Sequence, residues 1–191
     1  MLKWRTALML FAALALPVSA HAYEAWRGPT GLLKHTEEKS FDGYTVLAPL
    51  GSTKTFLIDN DANIINVWES EYRNGSSAIM LPNGHLLRGS TLPREEIAVP
   101  FGGFAGLLEE FDWEGNKVWE LKVNSRKGVF HHGMQRLPNG NTMVIAWEYK
   151  TREEAIAKGR NPETLGKMSI NDPNWPVEKP VEGFWPDAIF E

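Results

Sequence analysis

His131 and His132 are the only adjacent pair among the five histidines of the chain. Imidazole titrates near neutrality, so a histidine serves as acid/base catalyst, nucleophile or metal ligand. The pair by itself makes a poor chelate, because neighbours on a regular strand point to opposite faces. Neither a His-Glu-x-x-His motif nor a complete calcium loop occurs, and there is no Cys, so no metal site and no thiolate chemistry are expected. No residue pattern calls for a cofactor. Arg136, four residues on, fits an anion-binding group and equally fits a salt-bridged or solvated Arg. The bland reading of the histidines is a pair of satisfied polar residues at a strand end. Glu109, Glu110, Asp112, Glu114 and Glu120 read as surface charge, and His85, just after a turn, as exposed.

The elements that must position this pair are strands. Leu137-Pro138-Asn139-Gly140 is a hairpin turn between two apolar runs, and the histidines stand where the first run, Met134–Leu137, begins. Alternation then puts His132, Met134 and Arg136 on one face and His131, Gly133 and Gln135 on the other. The turn has a counterpart 56 residues upstream, Leu81-Pro82-Asn83-Gly84. Superimposing the two sets His131 opposite Gly75 and His132 opposite Ser76. A packing residue recurs between repeats and a site residue belongs to one, so the functional expectation rests on the histidines.

Candidate strands are Tyr44–Ala48, Thr55–Asp59, Ile64–Glu69, Ser77–Leu81, Leu86–Gly89, Leu107–Asp112, Lys117–Val123, Met134–Leu137 and Thr142–Tyr149. Asp59-Asn60-Asp61-Ala62-Asn63 precedes Val67-Trp68-Glu69, and Asp112-Trp113-Glu114-Gly115-Asn116 precedes Val118-Trp119-Glu120, with the two Trp 51 residues apart. Four strands recurring at this spacing predict an all-β fold of β-propeller blades, about two of the roughly four to eight that close such a ring, with a sandwich as the competing architecture. Trp68 and Trp119 are then packing residues between blades, and Ser77–Leu81 and Met134–Leu137 innermost strands. Beyond Trp147, Thr151-Arg152-Glu153-Glu154 is a capping box that opens a helix of about two turns, stopped at Gly159. An insertion over about 150–184 contains that helix and a polar, Pro-containing stretch from Asn161 to Gly183. A strand resumes at Trp185–Glu191.

With 191 residues, 42% of them hydrophobic, the chain is long enough for a real core. Its net charge of −4 and lack of a dense Lys/Arg run argue against nucleic acid or an anionic membrane surface as partner. Residues 1–22 read as a signal peptide: Lys3 and Arg5, an apolar run from Ala7 to Val18, then Ala20-His21-Ala22. Cleavage after Ala22 leaves 18 basic against 24 acidic residues, a mature charge of −6, and no membrane span. The expected location is periplasmic or secreted. Tyr23 to Ser40 reads as an irregular lead-in. The domain reading is a signal peptide over 1–22 and, over 23–191, the N-terminal portion of a propeller that continues further.

An ordered series of segments resembles the bacterial arylsulfate sulfotransferases. It runs through Gly43–Thr53, Leu57-Ile58-Asp59-Asn60-Asp61, Val67-Trp68-Glu69, Gly102-Gly103 and Glu109–Glu120. It continues through His131-His132, Ala146-Trp147-Glu148, Glu154–Arg160 and Trp185-Pro186-Asp187-Ala188-Ile189, and covers most of Tyr44 to Glu191. The resemblance implies an exported six-bladed propeller. Such an enzyme moves a sulfuryl group from an aryl sulfate to a phenol through a sulfated histidine, without a nucleotide donor. The family's His-His-Asp motif stands here as His131-His132-Gly133, without its carboxylate. The family's nucleophilic histidine falls beyond Glu191. His132 and His131 are thereby implied as sulfuryl-binding or acid/base residues, and the 191-residue chain alone is expected to be inactive. The partners implied are aryl sulfates and phenols, and a homodimer is a possible assembly. Two other classes stay open: a non-catalytic exported propeller that binds or scaffolds a partner, and a quinone-dependent dehydrogenase. Further channel histidines downstream favour sulfuryl transfer.

Overall fold

The computed structural model describes residues 31–98, 102–125, 127–164 and 184–191. The expected signal peptide and most of the polar stretch before Gly183 lie outside them. The chain divides into two compact units, Met1–Leu33 and Lys34–Glu191, and every strand named here belongs to the second.

The architecture is all-β, with three antiparallel sheets among the described residues. The first contains β1 (Thr45–Leu47), β2 (Lys54–Ile58) and β3 (Ile64–Glu69) in that order. The second is a meander of β4 (Arg73–Met80), β5 (Leu86–Thr91), β6 (Gly106–Phe111) and β7 (Lys117–Lys122). The third runs β8 (Asn124–Ser125), β9 (Gly128–Arg136), β10 (Thr142–Trp147) and β11 (Asp187–Phe190). Each of the nine candidate strands is present, as is the strand resuming near Trp185; the two-residue β8 was not expected. Helix α1 (Arg152–Ala157) has its capping box, with Thr151 Oγ1 accepting from Glu154 N at 3.1 Å and Glu154 Oε2 from Thr151 N at 2.8 Å.

The repeat extends to individual hydrogen bonds. In one turn Asp59 Oδ1 and Oδ2 accept from the Asn63 backbone and side chain, at 2.8 and 2.9 Å. In the other Asp112 takes the same two bonds from Asn116, at 2.7 and 2.8 Å. These side-chain bonds hold both carboxyls below the ordinary carboxylate range. The Pro-Asn-Gly turns match as well: Leu81 N donates to His85 O at 2.8 Å, and Leu137 N to Asn141 O at 2.8 Å. Gly84 and Gly140 take φ of 85° and 88° there, the left-handed geometry such turns demand.

Between the first two sheets Leu57 and Trp68 pack against Leu86 and Phe111. Between the second and third, Leu87 and Leu108 pack against Phe130, Met134 and Val144. Trp68 is fully buried and its Nε1 donates to Asp112 O at 2.6 Å, so it ties the first sheet to a turn of the second. Trp119 packs on the next interface but stays half-buried. The variant Trp68→Phe keeps most of the ring and loses the bond, so a denaturant titration should show a loss of about 2 kcal/mol.

Two acidic residues read as surface charge are core groups. Glu109 is 1% exposed and Glu110 9%. Glu109 lies beside the fully buried Arg88 between the first two sheets, and Glu110 pairs with Arg136 between the second and third. The strand pattern placed both on β6, but only the approach of a sheet on each side makes the strand buried throughout. His85 is likewise half-buried rather than exposed, its Nδ1 2.8 Å from Glu110 Oε1.

Candidate functional site

β9 begins at Gly128, so the histidines lie within the strand and not at its start. Phe130 pairs with Ala146 and Met134 with Val144, which leaves His131, His132 and Gly133 against Ile145 alone. This is a bulge of three residues against one. In β4 the same feature occurs: Asn74 pairs with Ser90 and Ala78 with Arg88, leaving residues 75–77 against Gly89. The two bulges are 56 residues apart, the spacing of the turns. One shape is thus built twice with different contents. In β4 a Cβ on Gly75 would stand 2.9 Å from Ala105 Cβ and 3.0 Å from the Gly89 backbone, so only glycine fits. In β9 two imidazoles occupy the bulge.

The bulge overrides simple alternation. His132 takes φ 49°, a left-handed conformation that His tolerates better than most residues. His131 is 4% exposed, stacked on Trp147 with ring centroids 4.1 Å apart and planes 18° apart. His132 is exposed and edge-on to His131, with centroids 5.1 Å apart and an 84° interplanar angle. The expected grouping of His132 with Met134 therefore fails, since Met134 is core and His132 is not.

Two residues that the sequence reading did not assign to the site complete it. Asp187, brought opposite Trp147 by the β10–β11 register, puts Oδ1 3.2 Å from His131 Nε2. The contact is an ion-pair distance rather than an aligned hydrogen bond, because Nε2 has no partner of hydrogen-bond geometry. Gly103, with φ +86°, lies under the His132 ring; a Cβ there would stand 2.1 Å from its Cε1 and 2.2 Å from its Nε2. The pairing of Phe104 with His131 holds that segment against β9. The sequence signals were faint: Gly102-Gly103 and Trp185-Pro186-Asp187 were both parts of the family resemblance, but nothing local joined either to the histidines.

The proton positions follow from the neighbours. The two Nδ1 atoms are 2.9 Å apart, so one carries hydrogen and the other accepts. His131 Nε2 faces a carboxylate, which favours hydrogen on that nitrogen and leaves His131 Nδ1 as the acceptor. His132 Nδ1 is then the donor, and His132 Nε2 keeps a lone pair. Burial pulls the His131 pKa below the ordinary 6.5, against the upward pull of Asp187, so this ring is neutral at pH 7. The series Asp187, His131, His132 thus ends in an exposed ring nitrogen, placed for proton transfer, nucleophilic attack or contact with an acidic oxygen.

A depressed folded-state pKa has a signed consequence for stability. The neutral His131 contribution is fully present above the unfolded value near 6.5 and is lost as pH falls through the lower folded value. Wild-type urea midpoints should therefore drop between pH 7.5 and pH 5. A His131→Gln variant should show a shallower drop; equal slopes would show that His131 is not buried neutral.

Arg136 is not brought to this site. Along β9 it lies roughly 13 Å from His132, at about 3.3 Å per residue. Its Nη2 is paired with Glu110, its Nη1 donates to Gly140 O at 2.9 Å, and its guanidinium sits 5.4 Å from the Trp119 ring centre. Among the described residues no group of three or more His, Asp or Glu is arranged to hold a metal. No protein-family model matches the chain, and no curated protein matches it.

Proposed function

We propose that this chain forms part of an exported β-propeller that transfers a sulfuryl group from an aryl sulfate to a phenol without a nucleotide donor. The observation that carries the reading is the pair of imidazoles in the β9 bulge, with Nδ1 atoms 2.9 Å apart and His131 Nε2 3.2 Å from Asp187 Oδ1 of β11, where the matching β4 bulge has no histidine. Asp187, from β11, supplies a carboxylate 3.2 Å from His131 Nε2, close enough to bias the orientation of that ring. Blade architecture is supported by the four-stranded meander, by the recurrence of turns and bulges at one spacing, and by the side-by-side placement of β4 and β9, the strands read as innermost.

In the accepting half-reaction the phenol gives its proton to His132 Nε2 while its oxygen bonds to sulfur, and the bond from sulfur to the sulfated histidine breaks. In the donating half-reaction the nucleophilic histidine nitrogen bonds to sulfur while the bond from sulfur to the aryl oxygen breaks, and the proton that Nε2 took from the preceding acceptor passes to that departing oxygen. The sulfated histidine is assigned, from the resemblance, to a later part of the ring. The assay is release of 4-nitrophenol from 4-nitrophenyl sulfate by the full-length protein with phenol as acceptor. His132→Ala should lower turnover about a hundredfold, the usual scale for a positioned acid/base group. Undiminished turnover in that variant would overturn the assignment.

A further inference from the structure

A second concave site lies away from the histidines. Lys150 N donates to Phe184 O at 2.7 Å and Phe184 N to Lys150 O at 2.8 Å, a two-bond bridge that holds the segment Phe184-Trp185-Pro186 beside α1. Between them is a cleft of about 630 Å³, within the range of roughly 300–1,000 Å³ typical of small-molecule sites. One wall is aromatic and apolar, from Phe184, Trp185 and Pro186. Lys150, Lys158 and Arg160 stand around it.

The charges there are unequal in what they have to do. Lys150 Nζ is 2.6 Å from Glu148 Oε1, so that charge is paired. The one carboxylate in the lining, Glu154, already accepts from the Thr151 backbone in the capping box. Lys158 and Arg160 are exposed, and among the described residues neither has a carboxylate at ion-pair distance. Among the described residues these two cations without an ion-pair partner stand beside an aromatic wall, an arrangement that favours an anion. An aromatic wall selects for a planar ring.

We propose that this cleft binds an aromatic anion: a ring stacked against the Phe184–Pro186 wall, with its carboxylate or sulfo group between Lys158 and Arg160. The site is joined to the histidines by packing. Trp185 lies against the cluster that contains Trp147, on which His131 stacks, and Asp187 follows Pro186 directly. The proposal is independent of sulfuryl transfer, and its test reads binding rather than turnover, so either can fail alone.

The test is calorimetric titration of the full-length protein with naphthalene-2-carboxylate, naphthalene-2-sulfonate and the neutral naphthalene-2-methanol. Both anions should bind, at least about tenfold more tightly than the alcohol, and more weakly as salt is raised. The two anions separate the acceptable head groups: binding of one and not the other assigns the site to that group. The exposed double variant Lys158→Gln/Arg160→Gln should lose about tenfold in anion affinity while its affinity for the alcohol is unchanged. Equal binding of anion and alcohol, wild-type anion affinity in the double variant, or no binding of either anion at millimolar concentration would each overturn the proposal.

Discussion

Replacing Glu109 by Ala should cost about 3–5 kcal/mol of stability, more than any exposed-charge substitution in the chain. Arg88 is fully buried, and its Nε lies 3.8 Å from Glu109 Oε2. The guanidinium is otherwise satisfied by neutral oxygens: Thr53 O at 3.0 Å, Tyr72 O at 2.8 Å and Ser90 Oγ at 3.0 Å. Glu109 Oε2 in turn accepts from Ser70 and Ser90. Removing the carboxylate leaves a buried cation without its counter-charge and two hydroxyls without an acceptor. The paired replacement Arg88→Met/Glu109→Leu removes both charges and should recover much of the loss. Urea denaturation of the two variants decides the matter, and a loss under about 1 kcal/mol in Glu109→Ala would mean that the network is hydrated and inessential.

The second large effect is expected at Gly103. An alanine there meets two penalties at once. Its φ of +86° is left-handed, costing an L-residue about 1–2 kcal/mol, and its Cβ would overlap the His132 ring at 2.1 Å. The ring is exposed and can leave, but leaving breaks the 2.9 Å contact with His131 and moves Nε2. If the proposed sulfuryl transfer holds, Gly103→Ala should therefore lower aryl sulfate turnover about as far as His132→Ala, roughly a hundredfold. Gly102→Ala is the control, since among the described residues nothing lies within 4 Å of a Cβ there. The readout that separates displacement from general destabilisation is the His132 imidazole nitrogen spectrum. The wild type and Gly102→Ala should show hydrogen on Nδ1, and Gly103→Ala should lose that preference. Unchanged nitrogen shifts in Gly103→Ala would refute the packing argument.

How far each feature was legible depended on the distance over which it is decided. Turns and caps are decided within about five residues. The Asp59–Asn63 and Asp112–Asn116 bonds, the Pro-Asn-Gly hairpins and the Thr151–Glu154 box could all be read from side-chain chemistry and spacing. Strand identity was equally local, because alternation and turn punctuation need no partner. Strand edges were less so: β9 extends back to Gly128 because β8 and the far end of β10 pair with it, which no pattern near Met134 announces. Arg136 illustrates the same limit. Its type fits an anion site, but Glu110, 26 residues away, pairs with it.

The histidine pair divides along the same line. The sequence by itself determined that two imidazoles stand where the upstream repeat has Gly75 and Ser76. Only the tertiary structure decided what they can do. Alternation assumes one residue against one, and a three-against-one bulge breaks it by turning His132 into the left-handed region and His131 onto Trp147. The carboxylate beside His131 arrives from Asp187, 56 residues later, through strand pairing. Side-chain identity is a property of one position, whereas proton placement, burial and charge pairing are properties of neighbours. Those neighbours are chosen by sheet register and packing over tens of residues, so the site became readable only once the strands were in place.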